Sequence, residues 1–285
     1  MTTTFYGTSN NRIICLINQI LEKVNLDIPS GWVIDNGSTF KIEGFGQTSR
    51  VTMIHPEEVS NPSRFVSKET FNTKFNCELG IPMPMGNVVY VVRHGHAGHN
   101  EPSATLSEAH DAPLTLLGID QAKKSGQAIL KDSDGMLPNL KLKSSDLFRT
   151  METIEIILNE LPEDQRTYTC QVCIEARENS RPFGGDHHWR RDDPLTEISI
   201  DPTISLEQLR LLAPGKTDLQ LERMRIENCP RNDPIKKSDD CLRKINKLSI
   251  DWSLYEEKLT KGYAAGKTFG QIASEKTLFE LIYEI

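Results

Sequence analysis

An arginine and a histidine follow a nearly continuous apolar run. The run NVVYVV, residues 87–92, is mostly β-branched, and Arg93 and His94 come directly after it. Such a run is typical of a strand buried on both faces of a parallel sheet, and residues just past its carboxyl end lie where α/β proteins bind ligands. A guanidinium can bind two phosphoryl oxygens, and a neutral imidazole can attack phosphorus. Arg93 and His94 therefore indicate phosphoryl transfer.

Further motifs accompany this pair. Gly95 follows His94, Asn100 lies six residues past His94, and the segments DAPLTLLGIDQA (111–122) and SSDLFRTMET (144–153) come next. Together they resemble the histidine phosphatase superfamily, also called phosphoglycerate mutase-like, with its RHGExxxN, PLTxxGxxQA and SSxLxRTxET signatures. The resemblance covers residues 88–153 and implies an α/β, three-layer sandwich of histidine phosphatase type.

The resemblance also implies roles for single residues. His94 would be the nucleophile that becomes phosphohistidine, Arg93 and Arg149 would hold the phosphoryl oxygens, and Asn100 would lie at the rim of the pocket. Two arginines from different elements can neutralise the charge of a transferring phosphoryl group.

The general acid of the family is a glutamate that follows the next strand. The segment EARENSRPFGG offers Glu175 and Glu178. Glu178 is the expected acid, because Arg177-Glu178 followed by Gly184 is more similar to the acid segment of the family.

One departure concerns a second histidine, which the family carries late in the chain at the end of a buried strand. No histidine follows His188 here, and the remaining residues show no obvious apolar strand. Three explanations stay open: His187 or His188 substitutes, the pocket works poorly with one histidine, or the chain is a degenerate binder of phosphorylated ligands. His96 also replaces the glutamate of the signature, which puts mutase-like specificity in doubt.

A zinc site is the alternative chemistry for the histidines. HGHAGH resembles the HxHxDH motif of metallo-β-lactamase-type hydrolases, but Gly98 stands in the place of the aspartate. This interpretation leaves Arg93 and the two later motifs unexplained, so solvated loop histidines are the simpler prediction and no metal or organic cofactor is expected. The solvated histidines of this prediction are His96 and His99, whereas His110, His187 and His188 could supply further ligands in the zinc interpretation.

Six cysteines in 285 residues are too few for a disulfide scaffold and indicate reduced thiols in a cytoplasmic protein. Cys170 and Cys173 have the spacing of a metal or redox pair, but no second pair exists. We interpret them as ordinary core or surface thiols in a strand.

The first 86 residues are predicted to form a small α+β extension of unknown role. Apolar residues at helical spacing over 11–24 predict an amphipathic helix, and segments 31–35, 39–45 and 49–55 predict a small antiparallel sheet. The proline- and glycine-rich GIPMPMG predicts a boundary near residue 86.

From residue 87 to 285 the pattern predicts a histidine phosphatase-like domain with a divergent C-terminal part. Strands are expected over 87–92, 139–145 and 167–175, and they alternate with helices over 115–130 and 147–161. Further helices are expected over 205–212, 238–262 and 267–284.

Composition restricts the partners. Forty acidic and 33 basic residues give a formal charge of −7, which disfavours nucleic acid and anionic membranes as partners. No apolar run is long enough for a membrane span. We therefore expect a cytoplasmic phosphomonoesterase that acts on a phosphorylated small molecule or phosphoprotein, or else a phospho-ligand-binding pseudoenzyme; the oligomeric state stays open.

Overall fold

The fold was obtained as a computed structural model. The structure describes residues 2–23, 33–56, 59, 65–75, 78–100, 114–161, 168–176, 248–267, 269–273 and 275–283. No helix within these ranges has the length and apolar character needed to cross a bilayer.

Eight strands form one mixed sheet in the order β4-β3-β2-β5-β1-β6-β7-β8. The neighbouring strands β5, β1, β6, β7 and β8 are parallel. On the other side of β5, the pairs β5–β2, β2–β3 and β3–β4 are antiparallel. The strands are β1 (Thr3–Thr8), β2 (Thr39–Gly44), β3 (Ser49–His55), β4 (Glu78–Leu79), β5 (Val88–Arg93), β6 (Lys141–Ser144), β7 (Tyr168–Val172) and β8 (Leu248–Asp251).

Helices cover both faces of the sheet, which confirms the predicted α/β class. Neighbouring strand residues alternate between two cores: Tyr6 and Val91 pack against α1, α2 and α7, whereas Phe5 and Val92 pack against α3 and α4. The helices are α1 (Asn10–Glu22), α2 (Lys68–Phe75), α3 (Leu116–Asp132), α4 (Phe148–Glu160), α5 (Ser253–Ala264), α6 (Phe269–Ala273) and α7 (Leu278–Tyr283).

The predicted boundary near residue 86 falls at a connection within this one sheet. Residues 3–79 are α+β in content, as predicted, and β2 and β3 form the predicted antiparallel pair. Their strands nevertheless belong to the same sheet as β5, and β1 lies between β5 and β6. The beginning of the chain thus supplies a central strand.

The C-terminal part differs from the sequence prediction. Of the helix expected over 238–262 the structure describes residues 248–262, and these form a strand, β8, and the separate helix α5. Asp251 Oδ1 accepts bonds from the backbone N–H (3.0 Å) and hydroxyl (2.7 Å) of Ser253 at the start of α5. Two short helices replace the one expected over 267–284. At the second of them, Thr277 and Glu280 form a reciprocal capping box that starts α7. The helix expected over 205–212 lies outside the described residues.

Two glycines allow helix α3 to approach the loop after β5. A Cβ atom on Gly118 would lie 2.0 Å from the carbonyl oxygen of His96, and one on Gly95 would lie 2.3 Å from the carbonyl oxygen of Gly118. Thr115 caps this end of α3 by accepting a hydrogen bond from the backbone N–H of Gly118 at 3.2 Å. Helix and loop therefore meet backbone to backbone.

We expect Gly118→Ala to lower the free energy of unfolding by about 1–3 kcal/mol, because the added methyl group overlaps a backbone carbonyl that cannot rotate away. Urea titration measures this change. Gly80→Ala is the matched control, since nothing lies within 4 Å of its Cβ position, and it should leave stability unchanged within about 0.5 kcal/mol. Equal stability of the two variants would contradict the close approach.

Candidate active site

Strand β5 places His94 at the carboxyl edge of the central strands. Its residues from Val89 to Val92 are buried, and the backbone N–H of His94 continues the pairing by donating to the carbonyl oxygen of Thr8 at 3.0 Å. The side chain of His94 is buried as well. The imidazole is thus held by an apolar strand with a fixed neighbour.

Both ring nitrogens of His94 have partners that define its protonation. Nδ1 lies 2.8 Å from the carbonyl oxygen of Gly95, and the Nε–H of Arg149 points to Nε2 at 3.3 Å. A carbonyl oxygen only accepts and a guanidinium only donates, so Nδ1 carries the proton and Nε2 carries a lone pair. Nε2 of His94 therefore faces the guanidinium of Arg149.

Hydroxyl groups fix the first turn of α4 and with it Arg149. The Thr150 hydroxyl donates to the carbonyl oxygen of Leu147 at 2.6 Å and accepts from Ser144 at 2.9 Å, while the Ser145 oxygen lies 2.8 Å away. The two serines and Thr150 come from the SSDLFRT motif. This motif therefore positions Arg149, which is fully buried, beside the imidazole.

Thr153 ties α4 to the loop that carries His94. Its hydroxyl donates to the carbonyl oxygen of Arg149 at 2.7 Å and accepts from the backbone N–H of Gly95 at 3.1 Å. One side chain thus connects the two elements that bring together His94 and Arg149.

The other two predicted phosphate ligands have different surroundings. Arg93 is half-buried, and its Nη1 donates to the carbonyl oxygen of Ile34. Asn100 ends a short 3-10 turn, where its Oδ1 accepts from the backbone N–H of Ala97 at 3.0 Å. Of the two predicted arginines, Arg149 donates to His94 and Arg93 donates to the chain that precedes β2.

Glu175 lies in the 3-10 turn after β7 and is buried. Its carboxylate forms an ion pair with Lys258 of α5. The predicted acid Glu178 and the predicted substitute histidines His187 and His188 lie outside the described residues. So do His110 and the side chain of His99.

His96 has a local role. Its Nδ1 lies 3.0 Å from the hydroxyl oxygen of Thr115, and its backbone N–H donates to Oε1 of Gln121 at 2.8 Å. Both partners belong to the PLTxxGxxQA motif, which therefore anchors the loop after β5. Among the described residues, no three His, Cys, Asp or Glu side chains are grouped so that they could hold a metal ion.

Cys170 and Cys173 are buried free thiols. Burial raises the pKa of both, and the pKa of Cys173 reaches about 11, although Lys143 and Lys258 partly oppose the increase there. Both thiols are thus protonated at neutral pH and behave as small apolar side chains, in agreement with their interpretation as core residues.

Two segments of this site were not predicted from the sequence. The turn at Asn36 and Gly37 lies against the loop after β5, because the backbone N–H of Gly37 donates to the carbonyl oxygen of His94 at 3.2 Å. Ser9 follows β1, the neighbour of β5 in the sheet. In the sequence these segments show only an Asn-Gly turn and a serine before an amphipathic helix. Neither feature reveals which strand of the sheet the segment adjoins.

The comparison with known families agrees with the motifs. Residues 89–170 match the model of the histidine phosphatase superfamily (branch 1), which confirms the resemblance over this segment. The segment contains β5, β6 and most of β7, together with His94 and Arg149. It supports a phosphatase- or mutase-like function in general terms. No curated protein and no solved structure matches the chain.

We expect Thr153→Val to lower the free energy of unfolding by about 1–3 kcal/mol, because the buried N–H of Gly95 loses its acceptor while the size of the side chain is kept. Chemical denaturation measures the loss. Thr153→Ser retains the hydroxyl and should recover most of the stability. A valine variant as stable as the serine variant would show that the bridge between α4 and the loop is unimportant.

Proposed function

We propose that the protein hydrolyses a phosphomonoester through a phosphohistidine at His94, with a phosphorylated small molecule or phosphoprotein as substrate. The observation that carries the proposal is the pair of hydrogen bonds at the two ring nitrogens of His94. Its Nε2 lone pair is available for attack because Nδ1–H is held by the carbonyl oxygen of Gly95. Arg149 provides positive charge at the same nitrogen, where the phosphoryl group would arrive.

In the first step, Nε2 of His94 attacks phosphorus, the P–N bond forms and the bond from phosphorus to the leaving oxygen breaks. Glu178 donates its proton to that oxygen. The imidazole becomes positively charged, and the Nδ1–H bond to Gly95 stabilises this charge. Because Nε2 no longer accepts from Arg149, the guanidinium becomes available to a phosphoryl oxygen.

In the second step, water attacks phosphorus, the P–N bond breaks and inorganic phosphate forms. Glu178 accepts the proton from the water, so His94 and Glu178 return to their starting states. Arg93 and Asn100 are proposed to bind the remaining oxygens of the substrate. For Arg93 this requires exchange of its bond to the Ile34 carbonyl oxygen. No metal or organic cofactor takes part in this scheme.

A phospho-ligand-binding pseudoenzyme is the second candidate. The observation in its favour is that β1, which lies between β5 and β6, ends at Thr8 and Ser9, while β8 ends at Asp251 on the edge of the sheet. None of these strand ends carries a second histidine beside His94. Binding of vanadate without turnover would favour this candidate, whereas turnover of phosphomonoesters favours the hydrolase.

We expect His94→Ala to reduce turnover of a nitrophenyl phosphate on the order of 1,000-fold or more, because the nucleophile is removed. The wild type should form an acid-labile phosphoprotein during turnover, detectable by mass spectrometry under alkaline conditions, and the variant should not. Equal turnover of variant and wild type would refute the mechanism.

His96→Gln and a chelator are the controls for the zinc interpretation. His96 bonds Thr115 and has no role in the proposed steps, so the glutamine variant should retain activity within a few-fold. A chelator should leave activity unchanged. Loss of activity with the chelator, together with stoichiometric zinc by elemental analysis, would replace the phosphohistidine mechanism with a zinc hydrolase.

We expect Glu178→Gln to lower kcat about 100-fold for an alkyl phosphate and much less for a nitrophenyl phosphate, whose leaving group needs little protonation. Glu175→Gln is the matched control. It weakens the ion pair with Lys258, so it should lower the unfolding temperature and leave kcat nearly unchanged. The opposite pattern would assign the acid to Glu175.

A further inference from the structure

Ser9 directly follows β1 and is next in line to His94, which directly follows β5. The parallel register of β1 and β5 pairs Gly7 with Val92 and Thr8 with Arg93, so the next residues in line are Ser9 and His94. Ser9 keeps an extended backbone, with φ −108° and ψ 169°, which preserves the alternation of side chains.

The same alternation indicates the face on which Ser9 lies. A Cβ atom on Gly7 would lie 2.9 Å from Ile154 of α4, and Val92 packs in the core that contains α4. Two residues further along each strand, Ser9 and His94 therefore point to the α4 side of the sheet. Arg149 reaches His94 from this side.

The Ser9 hydroxyl is buried and has no hydrogen-bond partner in the described part of the chain. Only 1% of the residue is exposed, and Oγ accepts none of the N–H groups that a serine before a helix ordinarily caps. A buried hydroxyl without a partner destabilises a fold, and such groups in native proteins call for a functional explanation. Here the orphan hydroxyl belongs to the residue next in line to His94 across the β1/β5 pair, and the Nε2 of His94 accepts from Arg149.

Helix α1 begins at the same place. Its first intrahelical bond runs from the N–H of Ile13 to the carbonyl oxygen of Ser9, so the N–H groups of residues 10–12 have no acceptor within the helix. No acidic residue occupies its first turn, and the Arg12 side chain donates elsewhere, to the carbonyl oxygen of Ala273. The positive end of the helix dipole is left uncompensated by its own residues.

We infer that Ser9 and the first turn of α1 form a binding site for the phosphoryl group of the substrate, beside His94 and Arg149. The Ser9 hydroxyl and backbone N–H groups at the start of α1 donate hydrogen bonds to a tetrahedral oxyanion, and the helix dipole favours its charge. The location rests on the proposed function, but the inference concerns anion binding and does not require turnover.

The test compares Ser9→Ala with the wild type, using inorganic phosphate as the probe in calorimetric titrations. The variant should bind phosphate about tenfold more weakly, because one hydrogen bond to a charged ligand is lost. Without phosphate, its unfolding temperature should be unchanged or higher, since a buried unpaired hydroxyl is removed. A helix cap of purely structural importance would show the reverse: lower stability and normal phosphate affinity.

Ser49→Ala is the matched control. The Ser49 hydroxyl is equally buried, but it lies 3.1 Å from the Tyr283 hydroxyl, near the opposite end of β5. This variant should lose stability and retain phosphate affinity. Ser9→Gly provides a second test should the alanine variant fold poorly, because glycine is tolerated before a helix.

The outcomes separate this inference from the proposed function. Normal phosphate affinity in both Ser9 variants, or no phosphate binding by the wild type, overturns the inference, whether or not the protein turns over phosphomonoesters. Phosphate binding that depends on Ser9 supports the inference, even if the wild type has no hydrolytic activity and the proposed mechanism fails.

Discussion

The site depends on a single imidazole held between an acceptor and a donor. The Gly95 carbonyl oxygen can only accept a hydrogen bond and the Arg149 guanidinium can only donate one. The proton of His94 therefore lies on Nδ1 and the lone pair on Nε2. This arrangement requires the loop after β5 and the first turn of α4 to lie within hydrogen-bonding distance. Thr153 joins them, and the backbone contact between Gly95 and Gly118 keeps the same loop against α3.

The order of the central strands explains why distant residues meet at this edge. Strands β5, β1 and β6 are parallel neighbours, and each is followed by a residue or turn that contributes to the site. His94 follows β5, Ser9 follows β1, and the hydroxyl cluster that positions Arg149 follows β6. Parallel strands end at one edge of a sheet, so these segments converge although they lie far apart along the chain.

The character of the site follows from its donors. A buried guanidinium, serine and threonine hydroxyls and the positive end of a helix dipole all favour an anion. The buried thiols on β7 and after it are protonated, and the Glu175 carboxylate is engaged by Lys258. These features favour phosphoryl chemistry. Cys170 and Cys173 are interpreted as structural residues, in contrast to the functional role proposed for His94.

The sequence by itself determined the local elements and the motif-bearing segments, because side-chain periodicity, turn residues and the order of motifs are local properties. The sequence predicted α1, α3, α4 and β5, and it singled out His94 and Arg149 as candidate site residues. Only the tertiary structure decided that β1 lies beside β5, that Arg93 donates to Ile34, and that residues 248–251 form β8 beside β7. Strand neighbours and side-chain partners depend on contacts between residues distant in the chain, and no local pattern records them.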